Sequence, residues 1–192
     1  MDTRQVQEHL KAIGWPINVD GSYGQRTFDA VKEFQRGFSF RDLLADGRAG
    51  PATWQALTES VQKGGACSLY FKFAEFKSKG NGWIKCNREL YRRLDQLRHH
   101  YGPIGITSGY RDPAHNRRVG GKPNSQHLFA AAVDPRFIRA TPSVNAVKRL
   151  GLFSGIGYSP SGAVRHVDVR GIMAPNTTGG TPANPTTWAY SN

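Results

Sequence analysis

The sequence predicts an α+β protein in which a small all-α domain precedes a larger domain of mixed helices and strands. Apolar residues recur at helical spacing through residues 1–62, where two similar turn motifs interrupt them. From residue 70 to residue 172, one clear helical pattern is followed by short segments in which apolar residues alternate as in strands. A chain of 192 residues can hold a small and a medium domain, with residues 63–69 as the linker.

The first domain contains an internal repeat. The segments VDGSYGQRTFDAV (19–31) and ADGRAGPATWQAL (45–57) share an Asp-Gly pair, a second Gly and a Thr before a helical continuation. Asp-Gly favours a tight turn because Gly reaches backbone conformations that other residues disfavour. Thr27 and Thr53 follow near predicted helix starts, where their hydroxyls are candidate caps for free N–H groups. The repeat therefore predicts three helices joined by paired turns.

The second domain begins with a predicted helix over residues 87–101. Leu90, Leu94 and Leu97 recur there at helical spacing, and Asn87 is a candidate N-cap. The elements expected after it are, in order, a strand near residues 104–106, a polar loop at 110–126, a strand at 125–134, a helix at 141–152 and a closing strand pattern at 154–170.

The C-terminal residues are rich in Thr, Pro and Gly. Residues 171–192 carry no charged side chain. We expect residues 173–192 to form an irregular tail, with Trp188 and Tyr190 as its candidate anchors.

Charge is distributed unevenly along the chain. The net charge is +12, and residues 61–192 carry 19 basic and 6 acidic side chains against 7 and 8 in residues 1–60. The basic half is expected to attract a polyanion: nucleic acid, an anionic membrane surface or an anionic envelope polymer. Nucleic acid is disfavoured because no recognition motif is evident. No apolar run approaches the roughly 20 residues of a membrane span, and the N-terminus lacks the pattern of a signal peptide.

The two cysteines, Cys67 and Cys86, lack the CxxC spacing of a thiolate zinc site. A disulfide between them and a pair of reduced structural thiols are both compatible with the sequence. Reduced thiols are expected in a protein made in the cytoplasm.

Three residues of the second domain are candidate metal ligands. His127 and Asp134 are expected at the two ends of one strand, SQHLFAAAVD, and His166 within another, RHVDVR. Two imidazoles and one carboxylate are a common set in catalytic zinc sites, where water takes the fourth position. A single strand histidine is more often an ordinary polar residue, and spacing alone does not establish that the three meet.

The first domain resembles the three-helix peptidoglycan-binding domain of cell-wall hydrolases. The resemblance covers residues 3–58 and rests on the order of five elements: VQ-x-x-LK-x-x-GW, the first turn motif, VK-x-FQ, the second turn motif and TW-x-AL. It implies wall binding in a groove near the repeated turns, although each turn residue also has a packing reason to be there. The candidate wall-binding residues are Asp20, Gly21, Gly24, Thr27, Asp46, Gly47 and Trp54.

The second domain resembles the zinc-dependent D-Ala-D-Ala carboxypeptidase and endopeptidase family. Five motifs in one order carry the resemblance: SGYR (108–111), NRRVGG (116–121), SQHLFAAAVD (125–134), GIGY (155–158) and HVDVR (166–170). The family implies zinc held on a central antiparallel sheet. By position, the implied residues are the zinc ligands His127, Asp134 and His166, the substrate-binding Arg111, and the supporting or substrate-side residues Ser125, Tyr110, Asn116 and Tyr158.

Two positions depart from the family pattern. Ala130 stands where a Gly is usual, a change from which we expect little effect. Ala163 stands where many members have an acidic general base, three residues before the last ligand. Asp168 is the candidate base instead, because residues two apart on a strand share a face and Asp168 should lie on the side of His166. Alternatively, Asp168 orients His166 or pairs with Arg170.

The resemblances together imply a modular peptidoglycan hydrolase that cleaves an amide bond in the peptide stem or cross-link. In the implied mechanism, zinc activates water, a carboxylate moves the proton, and Arg111 helps the metal to stabilise the oxyanion. The layout resembles a bacteriophage endolysin, made in the host cytoplasm and released to the wall by a holin. We expect a monomer whose partners are peptidoglycan and anionic envelope polymers. The alternatives are a bacterial D-Ala-D-Ala carboxypeptidase and an inactive wall-binding or virion protein.

Overall fold

The computed structural model describes residues 2–171 and 179–191, and its architecture confirms the α+β class. The elements are, in chain order, α1 (Thr3–Ala12), α2 (Gln25–Gly37), α3 (Pro51–Gln62), a 3-10 helix (Phe73–Phe76), α4 (Arg88–Tyr101), β1 (Ile104–Ser108), α5 (Pro113–Arg118), a second 3-10 helix (Gln126–Phe129), β2 (Ala132–Phe137), α6 (Val144–Arg149), β3 (Gly155–Tyr158), β4 (Val164–Asp168) and β5 (Thr186–Ala189). No helix within these ranges is long and apolar enough to cross a membrane.

Three helices build the first domain, as the apolar spacing predicts. α1 begins with a capping box at Asp2, whereas α2 and α3 begin after Gly24 and Gly50, which have no side chain to cap with. The predicted capping role of Thr27 and Thr53 is therefore wrong. Both threonines lie inside the first helical turn, and their hydroxyls accept hydrogen bonds from buried side-chain amides of the preceding helix.

A five-stranded sheet in the order β1-β2-β4-β3-β5 supports the second domain. The pairs β1-β2, β2-β4 and β4-β3 are antiparallel, as the family resemblance implies. The remaining pair, β3-β5, is parallel. Val167 of β4 pairs with Val133 on one side and with Ile156 on the other, and all three are fully buried. Apolar residues at matched register thus form the centre of the sheet.

The prediction of an irregular C-terminal tail is wrong for Thr186–Ala189, which form β5. This strand pairs along its whole length with Gly155–Tyr158, and the N–H of Tyr190 donates to the Tyr158 carbonyl at 2.8 Å. Without it, β3 would present an unpaired edge, which folded proteins usually cover. Of the predicted tail, residues 173–178 and 192 lie outside the part that the structure describes.

The segment SQHLFAAAVD is not the single strand that its apolar run predicts. Gln126–Phe129 form a 3-10 helix, and the strand begins only at Ala132. Between them, Ala130 has a φ of 55°, in the left-handed region, and this turn ends the helix and redirects the chain. Gly, the residue that the family resemblance leads us to expect at this position, is suited to that conformation.

The predicted polar loop at 110–126 contains the short helix α5. Asp112 is its N-cap, accepting a hydrogen bond from the N–H of His115 at 3.0 Å, and Pro113 occupies the first helical position. An acidic cap followed by proline is a recognised helix start. The prediction missed it because the surrounding residues are polar. The helix predicted at 141–152 is present as α6, but it is shorter and covers Val144–Arg149.

One hydrophobic core runs through both domains. The rings of Trp15 and Phe34 in the first domain lie 5.0 and 5.3 Å from that of Phe73 in the second, and all three side chains are fully buried. Within the predicted linker, residues 63–69, Gly65, Cys67 and Ser68 are buried, and Cys67 contributes a free thiol to this core. The two domains therefore form one packed body.

Polar contacts also cross the boundary between the domains. The Glu33 carboxylate accepts a hydrogen bond from the backbone N–H of Cys86, a second buried free thiol, at 2.9 Å. The guanidinium of Arg88 donates to the Gln35 carbonyl at 2.8 Å and pairs with Asp42. These bonds fix the start of α4 against α2.

Candidate metal centre

Three side chains that are distant in sequence converge on one point. His127 Nε2 lies 3.2 Å from Asp134 Oδ1 and 3.2 Å from His166 Nδ1, and His166 Nδ1 lies 3.1 Å from the same carboxylate oxygen. Both histidines are buried, and the Asp134 side chain is 24% exposed. Across residues 2–171 and 179–191, no other group of His, Cys, Asp and Glu could hold a metal ion in this way.

Strand pairing brings the three residues together. β2 and β4 are antiparallel with Val133 opposite Val167, and the same register continued by one residue sets Asp134 opposite His166. His127 comes from the 3-10 helix before β2, and the turn between them returns the chain to the sheet. The prediction that the three predicted ligands meet is therefore supported by the fold.

Hydrogen-bond partners favour one tautomer of each neutral imidazole. His127 Nδ1 lies 2.7 Å from the Gly109 carbonyl, which can only accept, so Nδ1 donates and Nε2 keeps its lone pair. His166 Nε2 lies 3.1 Å from an Asp168 carboxylate oxygen, so a proton there leaves the Nδ1 lone pair free. Both lone pairs face Asp134. Partners of this kind orient histidines that bind metals.

The three donor atoms fit a zinc ion. Bonds of about 2.0–2.1 Å in tetrahedral geometry separate two donor atoms by about 3.3 Å, close to the 3.1–3.2 Å found between these atoms. Three atoms with lone pairs at this separation repel one another unless a proton or a cation lies between them. Two imidazoles with one carboxylate, and no thiolate, suit a catalytic rather than a structural zinc.

Burial and neighbouring charges shift the pKa values of the cluster. Burial lowers the pKa of His127, which favours the neutral ring that a metal requires. Burial acts the same way on His166, but Asp134 and Asp168 outweigh it and raise its pKa. Burial disfavours ionisation of Asp134, yet the two histidines outweigh it and hold the pKa of this carboxyl below its ordinary value.

Arg111 lies beside the cluster, where the resemblance expects it. Its Nη2 lies 2.5 Å from Asp134 Oδ2, and its Nε donates to Ser108 Oγ at 2.8 Å. Asp134 therefore directs one oxygen to Arg111 and the other to the histidines. This arrangement fixes a positive charge next to the point where the donor atoms meet.

Asp168 lies on the opposite side of His166 from that point. It is fully buried and accepts hydrogen bonds from His166 Nε2 and from Arg170 Nε and Nη2, the latter two at 2.8 and 2.6 Å. Burial disfavours its ionisation, but Arg170 and His166 outweigh it and lower the pKa of Asp168 to about 2. The geometry argues against Asp168 as general base and favours the alternative in which it orients His166 and pairs with Arg170.

The C-terminal strand adds a residue to these surroundings that the sequence indicated only as an anchor. The Trp188 ring centroid lies 5.1 Å from that of His166, and the Arg170 guanidinium carbon lies 4.9 Å from the Trp188 ring. Gly157 of β3 leaves room for two rings, since a Cβ there would lie 2.7 Å from the Tyr190 ring and 3.0 Å from the Trp188 ring. No sequence pattern within β5 indicates this contact, because it depends on pairing between distant strands.

Comparison with known proteins bears on both domains. A peptidoglycan binding domain profile matches residues 2–57, and the peptidase M15 profile matches residues 69–168, which is just over half of the chain and includes all three donor residues.

The chain belongs to the peptidase M15 family.

No curated protein matched the chain. The two profiles together support a peptidase that acts on peptidoglycan.

Four further residues are predicted around the site of this M15 peptidase, and among the described hydrogen bonds none joins them to the three donors. Ser125 is the N-cap residue of the 3-10 helix that carries His127, and Tyr158 pairs with β5. Tyr110 is buried, and burial raises its pKa to about 12. Asn116 is buried in α5, where its amide holds the loop that follows. The contacts of Tyr110 and Asn116 are therefore of the kind that stabilise the fold.

No further carboxylate of the second domain is available at the cluster within the described ranges. The remaining acids cap helices, hold backbone N–H groups or pair with arginine: Glu75, Glu89, Asp95 and Asp112. Ala163, at the position where many relatives have an acid, forms a β-bridge with Ser143. Within the described residues, the acid that the resemblance predicts at position 163 is therefore absent, and the carboxylates at the cluster are those of Asp134 and Asp168.

The first of the repeated turns is held by a buried glutamine of α1. Gln7 Nε2 lies 2.8, 2.9 and 3.1 Å from Asp20 Oδ1, the Ser22 carbonyl and Thr27 Oγ1. Its Oε1 accepts from the N–H of Gly21 at 2.8 Å. Gln7 belongs to the VQ-x-x-LK motif, but its burial was not predicted, because a glutamine in a helix is usually exposed.

The second turn repeats the arrangement with a glutamine of α2. Gln35 Nε2 lies 2.8, 2.9 and 3.0 Å from Asp46 Oδ1, the Arg48 carbonyl and Thr53 Oγ1, and its Oε1 accepts from the N–H of Gly47 at 2.8 Å. The polar groups that the motif shares are therefore used inside each turn. This favours the packing explanation for the predicted wall-binding residues Asp20, Gly21, Thr27, Asp46 and Gly47.

Two of the predicted wall-binding residues, Gly24 and Trp54, take no part in these glutamine networks. Gly24 is the N-cap of α2, and a Cβ there would meet no atom within 4 Å. Trp54 is half-buried, with its ring 4.5 Å from that of His9. It borders an open groove of about 470 Å³ whose other lining residues are Arg41, Gln55, Thr58, Glu59 and Gln62. Trp54 is thus the predicted residue best placed to meet a ligand.

Proposed function

We propose that this M15 peptidase is a zinc-dependent peptidoglycan hydrolase of the endolysin type, which cleaves an amide bond in the peptide stem or cross-link. The observation that carries the proposal is the convergence of His127 Nε2, Asp134 Oδ1 and His166 Nδ1. The peptidoglycan binding profile at residues 2–57 supports the same substrate. The basic character of residues 61–192 favours attraction to anionic envelope polymers.

The residues of the chain have separable tasks in this proposal. Zinc, when bound, is a Lewis acid that polarises a carbonyl and lowers the pKa of a coordinated water. His127, Asp134 and His166 would hold the ion, and the Gly109 carbonyl and Asp168 orient the two imidazoles.

Arg111 has the task of binding substrate. Its guanidinium is anchored by Ser108 and Asp134, and Arg has five N–H donors in a rigid fork. A carbonyl or carboxylate oxygen of the stem peptide would be held next to the ion by the remaining donors. A preorganised cation at this place also stabilises negative charge that develops on the carbonyl oxygen.

Wall binding is assigned to the groove beside Trp54. Arg41, Gln55 and Glu59 line it with groups that donate and accept hydrogen bonds, and the exposed part of an indole offers an apolar face. Such a surface suits sugar hydroxyls together with the apolar faces of sugar rings.

The test is digestion of purified peptidoglycan by the zinc-loaded protein, with the released fragments identified by mass spectrometry. We expect new termini within stems or cross-links. His127→Ala should abolish both these products and the retention of zinc. His99→Ala, which changes an exposed histidine of α4, should give the same products as the wild type. Release of terminal D-Ala alone would identify the carboxypeptidase alternative. A wild-type protein that holds stoichiometric zinc and produces no new termini would overturn the proposal.

An inactive wall-binding protein is the second candidate, and one observation favours it. In the described part of the chain, Asp134 and Asp168 are the carboxylates at the cluster, and each is engaged with an arginine. This candidate predicts that the protein sediments with peptidoglycan and that Trp54→Ala weakens the binding, while the digestion yields no products.

A further inference from the structure

Four side chains form a closed cycle of contacts on the side of His166 that faces away from the other donors. His166 Nε2 contacts Asp168 at 3.1 Å, and Asp168 pairs with Arg170 at 2.6 and 2.8 Å. The Arg170 guanidinium lies over the Trp188 ring at 4.9 Å, and the Trp188 and His166 ring centroids are 5.1 Å apart. Each member thus touches the next, and the last touches the first.

The cycle joins the end of β4 to the C-terminal strand. The M15 match ends at residue 168, so Arg170 and Trp188 both lie beyond it. Trp188 is brought to His166 by the parallel pairing of β5 with β3, in which Trp188 is opposite Gly157. The closing contact is therefore supplied by a part of the chain that the family match does not include.

Trp188 places two constraints on His166 beyond the hydrogen bond that His166 Nε2 donates to Asp168. A single hydrogen bond fixes one atom of an imidazole but leaves the ring able to tilt about that atom, and an aromatic ring packed against it opposes the tilt. Trp188 also covers the guanidinium that binds Asp168, whose side chain is 0% exposed. Exclusion of water keeps this ion pair strong.

We infer that Trp188 is a positioning residue of the zinc site. By closing the cycle, β5 holds the His166 ring with its Nδ1 lone pair directed at His127 and Asp134. The backbone next to it is built to allow this, because a Cβ at Gly155 would overlap the Asp168 carboxylate, and a Cβ at Gly157 would overlap the Tyr190 ring and crowd the Trp188 ring. The inference rests on the proposed zinc-dependent function.

Zinc affinity of the full-length protein tests the inference, measured by competition with a chromophoric chelator. Trp188→Leu removes the aromatic face, Trp188→Phe keeps one, and Thr187→Ala is the matched control, an exposed neighbour on the same strand. We expect the Leu variant to bind zinc about tenfold or more weakly, the Phe variant to recover most of the affinity, and the control to match the wild type. The melting temperatures of the metal-free Leu and Phe variants should be equal.

Two results would overturn the inference. One is a Leu variant that binds zinc as tightly as the wild type. The other is an equal loss of affinity in the Leu and Phe variants, which would assign the effect to packing of β5 and not to the aromatic face. Failure of the wild-type protein to bind zinc would instead refute the proposed function, so the two failures are distinguishable.

Discussion

Gln7 and Gln35 occupy equivalent places in two copies of one hydrogen-bond network. Each is buried, contacts an Asp carboxylate, a backbone carbonyl and a Thr hydroxyl through its amide nitrogen, and accepts from a Gly N–H through its oxygen. In each repeat, the Asp, Gly and Thr are thus hydrogen-bond partners of a glutamine that lies in the preceding helix, outside the repeat. The shared residues of the motif therefore stabilise the turn.

Gln35→Ala should destabilise the protein by about 2–3 kcal/mol, because it leaves the Thr53 hydroxyl and the Gly47 N–H buried without partners. Chemical denaturation followed by circular dichroism measures this. Gln25→Ala is the control, since Gln25 is exposed and bonds only to the Asp29 side chain of its own helix; we expect a change within about 0.5 kcal/mol. Equal stability of the two variants would contradict the structural role given to the network.

Ala130→Gly should stabilise the protein by about 1 kcal/mol, because a residue with a Cβ is disfavoured at a positive φ. The φ of Ala130 is 55°. Ala132→Gly, in the buried start of β2, should be destabilising instead, because it removes a packed methyl group and frees a strand residue. Melting temperatures of the two variants should therefore move in opposite directions. A shift of both in the same direction would argue against strain at Ala130.

Asp168→Asn should weaken zinc binding about 10- to 100-fold, because it removes the charge that orients His166 through Nε2. Chelator competition and peptidoglycan turnover, measured on the same preparation, decide between the two roles of Asp168. A general base predicts the reverse pattern, in which affinity is unchanged and turnover is lost. That pattern would restore the assignment that the geometry disfavours.

Asp112→Asn should reduce stability at neutral pH, and the difference from the wild type should vanish in acid. Burial disfavours the charged form of Asp112, but hydrogen bonds from the His115 N–H, the Ser78 hydroxyl and the Asn81 N–H outweigh it and lower its pKa to about 2 from 3.8. A group whose folded-state pKa is depressed stabilises above its unfolded pKa, and this stabilisation is lost as the pH falls through the folded value.

Unfolding of the wild type and of Asp112→Asn at a series of pH values checks this. The two curves should converge between about pH 4 and pH 2 and stay apart at higher pH. A constant difference down to pH 2 would mean that the carboxylate charge is not what stabilises the start of α5.

Local signals in the sequence were sufficient for much of the fold. The leucines of residues 87–101 and the cap at Asn87 predict α4, because helix spacing and capping depend on neighbours only. The three donor residues could be predicted from their chemistry and from family motifs. Neither prediction required knowledge of contacts between distant segments.

The predictions that failed depend on such contacts. β5 has the sequence TTWA, and only the free edge of β3 makes it a strand. Asp168 shares a face with His166 as predicted, but which ring nitrogen it meets depends on the side-chain geometry that the register of β2 and β4 imposes. The roles of Gln7, Gln35 and Trp188 likewise arise from partners that lie far along the chain.

The contact of Trp15 and Phe34 with Phe73 has a consequence for how the enzyme would work on a polymer. A catalytic domain on a flexible tether samples every bond within reach of its linker. Here the proposed wall-binding groove and the candidate metal centre belong to one packed body, so the fold sets their separation and relative orientation. The protein would therefore select bonds by their distance and direction from the peptidoglycan chain bound in the groove.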